Sequence, residues 1–290
     1  MSGTVRPSGL QGVIAIPQFR RLWFGQILSQ LGDKFYIVLM VFLIAQYWVT
    51  DTPPSGGALA EAAAAIKLDI DSRAQLITLL ATGIYVANTI PAMALGLLAG
   101  VWADRWPKRT VMVASNGLRA AITLLIPFCL IDGPMWLGLS WGYWALLAIT
   151  FCESALTQFF APAEQAAIPL LVPGHQLLAA NSLYQATSMG ATIVGFALGD
   201  PMLRLLDRLL AGIGIHDGEV FLLPLCYGLA ALVLSTIDIE EQPRPATTTS
   251  VWSEMGEGLQ VLRDRPTVRT AMLQLVLLYS LLAALYVLAI

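Results

Sequence analysis

Seven apolar runs, each of 18 or more residues, follow one another along this chain of 290 residues. They cover about Leu22–Val49, Leu76–Ala99, Thr110–Ile131, Ser140–Ala161, Asn181–Leu205, Val220–Ile237 and Arg269–Ile290. A helix rises about 1.5 Å per residue, so a run of about 20 residues crosses a hydrocarbon core of about 30 Å. Inside that core every backbone N–H and C=O must be paired within its own segment, which makes each run a helix. The fold class that follows is an all-α membrane protein of seven spans. Composition agrees, because 12% of residues are charged against about 25% in soluble domains.

The same figures exclude several functions. Net charge is -3 and the basic residues are dispersed, so the chain offers no stripe for nucleic acid. Cys129, Cys152 and Cys226 are unclustered and lie inside apolar runs, which suits neither a disulfide framework nor a metal site. No phosphate-cradling loop, paired-histidine motif or serine elbow occurs, so no catalytic residues, cofactor or metal are expected. His175 and His216 fall in loops and read as incidental, and residues 1–18 lack the apolar core of a cleaved signal peptide.

Charge sets an expected orientation. Ten Lys and Arg fall in the amino-terminal tail, the 2–3 turn and the 6–7 linker counted with Arg269 at its junction with span 7, against Lys67, Arg73, Arg204 and Arg208 in the opposite loops. Positive residues are retained on the cytoplasmic side, so the amino terminus is expected there. Trp136, Trp141, Tyr143 and Trp144 then mark the outer interface. Residues 50–73 read as an external connector with a short helix over Ala58–Leu68. Pro169, Pro173 and Gly174 place the connection from Pro162 to Ala180 along the membrane surface. In the 6–7 linker, Trp252, Met255, Leu259 and Leu262 recur at spacings of three and four, the pattern of an interfacial helix. The divisions are a tail (1–21), a six-helix bundle (22–237), a linker (238–268) and the start of a second bundle (269–290).

Ionisable groups within the spans are the sharper signal, since Asp or Arg near a helix centre costs about 2.5–3.5 kcal/mol on insertion scales. Asp33, Arg119 and Glu153 lie at depths of roughly 16, 14 and 12 Å from the charged-turn side, so they can share one layer. Two readings are open. They serve solute binding or proton coupling, or they are a structural set in which Lys34 pairs with Asp33 and Arg119 with Glu153. Small residues add a second pattern, Gly96-x-x-x-Gly100 at the end of the second span and Gly190 with Gly195-x-x-x-Gly199 in the fifth. Such spacings let helix backbones approach in lipid, either in sliding contacts or in static packing.

The turn between spans 2 and 3 reads Gly100-x-x-x-Asp104-Arg105-x-x-Lys108-Arg109. It resembles the signature loop of the major facilitator superfamily of transporters, with Pro107 where the family prefers glycine. Phe159 to Glu164, Ile168 to Pro173 and Ala180 to Leu183 resemble the helix 4–5 region of the exporter branch of siderophore, macrolide and lysophospholipid transporters, which commonly has Arg in place of Glu164. Gly190 to Asp200 is similar to the glycine-rich antiporter motif, with Phe196 for its usual proline.

This resemblance, over roughly residues 19–290, implies the six-helix amino-terminal half of such a transporter plus helix 7. It implies alternating access between two halves of inverted three-helix repeats, with spans 2 and 5 facing the other half, spans 1 and 4 lining the cavity and span 3 toward the periphery. It implies that Asp104 and its neighbours gate the cytoplasmic face. The expected function is gradient-driven export of a small amphiphilic or drug-like solute by a multi-pass protein of the plasma (inner) membrane. A non-transporting scaffold within a larger membrane complex is the alternative. The expected partners are the solute, the bilayer, and a C-terminal half or partner membrane chain, without which the chain is not expected to transport.

Overall fold

A computed structural model of the chain describes residues 9–48, 73–241 except 132, 138 and 216, positions 256, 260, 263 and 264, and residues 265–288. Two compact units divide it at Gln242–Pro243. The first contains α1 (Leu10–Ile14), α2 (Pro17–Leu43, continued by a π-turn over Ile44–Trp48), α3 (Arg73–Arg105), α4 (Lys108–Thr123) and α5 (Ile126–Cys129). After a two-residue hairpin of β1 (Met135–Trp136) and β2 (Leu139–Ser140) come α6 (Trp141–Leu171), α7 (Leu177–Ala211) and α8 (Leu222–Ser235). The second unit carries α9 (Pro266–Leu288).

Among the described residues, six helices are long and apolar enough to cross a membrane: α2, α3, α4 with α5, α6, α7 and α8 with its preceding turn. These are spans 1 to 6 of the sequence. Local chemistry sets their ends: Pro17 occupies the first turn of α2, and the Ser140 hydroxyl accepts the Gly142 N–H at 3.3 Å to cap α6.

Three boundaries differ from the sequence reading. The charged cluster is helical through Arg105, so the turn shrinks to Trp106–Pro107. Span 3 is broken at Leu124–Leu125, just ahead of Pro127. The 4–5 connection does not lie along the membrane surface, because α6 runs through Pro162 and Pro169 to Leu171 and only a turn at Gly174–Gln176 precedes α7. Proline forfeits one backbone hydrogen bond, yet a helix in lipid keeps the rest because no water competes for them. The Ala58–Leu68 helix, His216 and the face of Trp252, Met255, Leu259 and Leu262 lie outside the described residues.

The packing has an internal symmetry. Span 1 packs on spans 5 and 6, span 4 on spans 2 and 3, and span 3 on span 6. Exchanging spans 1, 2, 3 for 4, 5, 6 leaves this set unchanged. Elements three spans apart cross the membrane in opposite directions, so the pattern is that of inverted three-helix repeats.

Spans 2 and 5, related by the exchange, are the least covered, with 22% of an apolar 18-residue stretch of each buried. Tyr85 and Met93 on α3, and Met189 and Ile193 on α7, present large apolar surfaces. The core divides into two clusters. One around Tyr36, Leu39, Leu146 and Tyr227 lies toward the hairpin end, and one around Leu22, Met112, Phe160 and Ile168 lies toward the charged-turn end.

Candidate functional site

Between these clusters sits a polar centre built from four spans. Arg119 of α4 is fully buried, and its Nη1 donates to Ser29 Oγ at 3.1 Å and to Asp33 Oδ1 at 3.4 Å, both on α2. Its Nε lies 3.9 Å from Glu153 Oε1 on α6. The guanidinium also stands 5.1 Å from the Phe160 ring centre and 5.3 Å from that of Tyr227. Aromatic faces attract a desolvated cation, and here they close the sides that no carboxylate covers.

Tyr227 of α8 completes the arrangement. Its hydroxyl lies 2.9 Å from Asp33 Oδ1 and 3.0 Å from Glu153 Oε1, as donor to each. A phenol has one proton, so it serves the two carboxyl groups in turn or in a shared bond. Asp33 and Glu153 lie on spans 1 and 4, which the exchange relates, and Arg119 and Tyr227 lie on spans 3 and 6, which it also relates. Two acceptors from one pair of spans therefore meet two donors from the other pair.

One guanidinium thus faces two carboxyl groups. Both carboxyl groups are bound by Arg119 and by Tyr227, so a change in the charge of one alters the hydrogen bonding of the other. Asp33 is the accessible member, its side chain 28% exposed against 6% for Glu153.

The sequence placed Asp33, Arg119 and Glu153 at one depth, and the structure brings all three together. It corrects three details. Asp33 pairs with Arg119 and not with Lys34, whose Cβ and Cγ instead pack against Gly195. Span 3 delivers Arg119 to the centre of the bundle, because only there can a buried guanidinium reach carboxylates on two other helices. The glycine face of α7 is filled from within the same half. A Cβ at Gly195 would overlap the Lys34 side chain, and one at Gly199 would come within 2.8 Å of Val38. Gly190 and Gly100, by contrast, have nothing within 4 Å of an added Cβ, and Gly96 only Gln158 Oε1 at 3.8 Å.

Tyr227, Ser29, Glu164 and Tyr184 were missed. Ser29 had a signal, since Gln26, Ser29 and Asp33 recur at three and four residues and form a polar stripe on α2. Glu164 had one too, lying eleven residues beyond Glu153 and so on the same face of α6. Tyr227 had none, because a tyrosine inside an apolar run looks like any core aromatic.

At the charged-turn end the groups anchor α4 to the end of α8. Arg109 donates to the Ser235 carbonyl, and Arg21 Nη1 to the Thr236 carbonyl at 2.6 Å, so two cations sit at a helix carboxyl end where carbonyls are free. Glu241 accepts the Lys108 N–H at 2.6 Å and lies 3.5 Å from Lys108 Nζ, at the amino end of α4. Trp102, Trp106 and Phe159 stack beside this turn with ring centres 5.8–6.3 Å apart. Arg105 is exposed, and the side chain of Asp104 lies outside the described residues.

The Major Facilitator Superfamily profile matches residues 22–290. The chain belongs to that superfamily. The Bacillus subtilis protein named uncharacterized MFS-type transporter YfiS is 27% identical over 63% of this chain and 40% of its own length. YkuC of the same organism is 26% identical over 81% of this chain and 45% of its own. The multidrug efflux pump Tap of Mycolicibacterium fortuitum is 28% identical over 64% of this chain and 44% of its own. The chain spans about half the length of the curated relatives it matches. No solved structure matches it. Superfamily membership makes this a multi-pass chain whose setting is the bilayer.

Proposed function

We propose that the chain forms the amino-terminal half of a secondary active transporter that exports a small amphiphilic or drug-like solute by alternating access, with Asp33, Glu153 and Arg119 as its coupling groups. The observation that carries this reading is a buried guanidinium shared by two carboxyl groups, one of them partly exposed, on spans that the superfamily uses to line its cavity. A carboxyl group whose affinity for a proton differs between inward-open and outward-open states couples proton movement to the transition by linkage.

Two further observations support an amphiphilic solute. A cavity of about 440 Å³ opens one turn beyond Asp33, at Tyr36, and has largely apolar walls from Ile37, Met40, Ile77 and Ile84, with Thr78 and Asn88 as polar points. One relative is named a multidrug efflux pump, which points the same way. On this reading the chain lies in the plasma membrane with its amino terminus inside. Residues 22–237 form the first bundle and 269–290 begin the second. The exposed faces of α3 and α7, around Gly96, Gly100 and Gly190, meet that second bundle. Lys34 flanks the coupling site, and Gly100, Asp104, Arg105, Lys108 and Arg109 stabilise one state at the cytoplasmic face.

The test is Asp33→Asn in the full-length transporter, reconstituted in vesicles under a pH gradient. Gradient-driven flux is expected to vanish while the protein stays folded and inserted. Normal transport by this variant would reduce Asp33 to a structural partner of Arg119.

A further inference from the structure

Glu164 is a buried ionisable group within a span that the central cluster leaves unused. It stands three helical turns from Glu153 on the same face of α6, about 16 Å toward the charged-turn end. It is 1% exposed. Its Oε2 accepts the Tyr184 hydroxyl of α7 at 3.0 Å, and its Oε1, also buried, has no hydrogen-bond partner among the described residues. No cation lies within ion-pair distance of it among those residues. The charged and titratable groups that face it are Tyr184 from α7, Arg119 from α4 and Asp33 from α2.

An ionised carboxylate with one donor and one orphan oxygen is an uncompensated buried charge, whereas a carboxylic acid there leaves at most one neutral hydroxyl unsatisfied, a far smaller cost. The surroundings continue toward the centre as a polar file. Gln26 Nε2 donates to the Tyr184 carbonyl at 3.2 Å, Ser29 follows one turn on, and Ser29 is bonded to Arg119. Arg119 Nη2, like Glu164 Oε1, is buried without a partner. Two unsatisfied polar atoms at the inner and outer ends of one file are what water would join.

We propose that Glu164 is a proton-binding site, and that it relays protons between the Asp33–Arg119–Glu153 cluster and the charged-turn side of the protein. The site holds its proton as a carboxylic acid in this conformation and releases it when the transition brings water to Oε1. Its relay role rests on the central cluster being the coupling site; its protonation does not.

The protonation is read by infrared spectroscopy on the full-length transporter in lipid at neutral pH. Glu164→Gln is expected to remove one carboxylic-acid C=O band. It should also lower pH-gradient-driven flux by tenfold or more, while downhill exchange of solute and solute affinity remain within about twofold. Glu164→Asp should restore the driven flux in part. Should Glu164→Gln fold poorly, Tyr184→Phe keeps the carboxyl group and is expected to move the same band to higher frequency by removing its donor.

Identical carboxylic-acid bands in wild type, Glu164→Gln and Tyr184→Phe would overturn the inference, even with Asp33→Asn inactive, and would leave the central reading intact. A band lost in Glu164→Gln together with normal transport by Asp33→Asn would keep the proton site and reject the central cluster as its partner.

Discussion

Ion pairs at the centre of the bundle and at its charged-turn end use the same residue types to different ends. At the centre, Arg119 is fully buried and each contact its guanidinium makes is to a side chain of another span. At the turn, exposed Arg21 and Arg109 reach the backbone carbonyls that end α8, and Lys108 meets a partly exposed Glu241. Depth decides the difference. In a low-dielectric interior a charge without its partner costs several kcal/mol, so the central groups are mutually obligatory. Near water the same contacts are worth little singly and are screened by salt. The centre therefore suits a chemical switch, and the turn suits a contact that forms and breaks as the protein changes state.

The largest effect expected is that of Arg119→Met, which leaves Asp33 and Glu153 without their cation and should cost about 3–5 kcal/mol. Denaturation in micelles measures it. Adding Asp33→Asn and Glu153→Gln should recover much of the loss, because the uncompensated charge is then gone. Wild-type stability in the single variant would erase the distinction drawn between centre and turn.

A smaller effect is expected from the two glycine pairs, which carry the same contrast between a filled and an open site. Gly195→Val forces α7 away from Lys34 on α2 and should cost about 1–3 kcal/mol by overpacking. Gly100→Ala meets nothing within 4 Å and should leave the stability of this half within about 0.5 kcal/mol. Equal losses at the two positions would show that Gly100 is also packed within this half.

The smallest change in stability is expected at the turn. Arg109→Ala should cost about 1 kcal/mol or less, and the difference from wild type should shrink as salt is raised. Asp104→Asn should slow turnover in the full-length transporter while solute affinity stays near wild type. A large fall in affinity at unchanged turnover would place Asp104 in solute binding instead of gating.

Much of the fold was legible because a bilayer reduces folding to a question of length. A run that can cross the core must be a helix there, so the six spans of the first unit and their order followed from hydropathy alone. Helix ends were less legible. Pro162 and Pro169 look like breakers, but in α6 the surrounding backbone bonds have no competing solvent, and the helix continues. The depth of Asp33, Arg119 and Glu153 was readable for the same reason as the spans, since rise per residue is constant along a helix.

Azimuth was not readable. Which side of each helix faces which neighbour depends on packing across spans, and it was packing that turned Arg119 to the centre, gave Asp33 to Arg119 in place of Lys34, and brought Tyr227 and Glu164 into the polar interior. The two Gly-x-x-x-Gly pairs are alike as text, yet one is filled by α2 and the other lies open. Sequence by itself determined that the chain is a set of membrane helices with three ionisable groups at a common depth, because hydrophobic length and rise per residue are local quantities. Tertiary structure alone decided which of those groups share a proton donor and which helix faces stay uncovered, because both depend on side chains far apart in sequence arriving at one point.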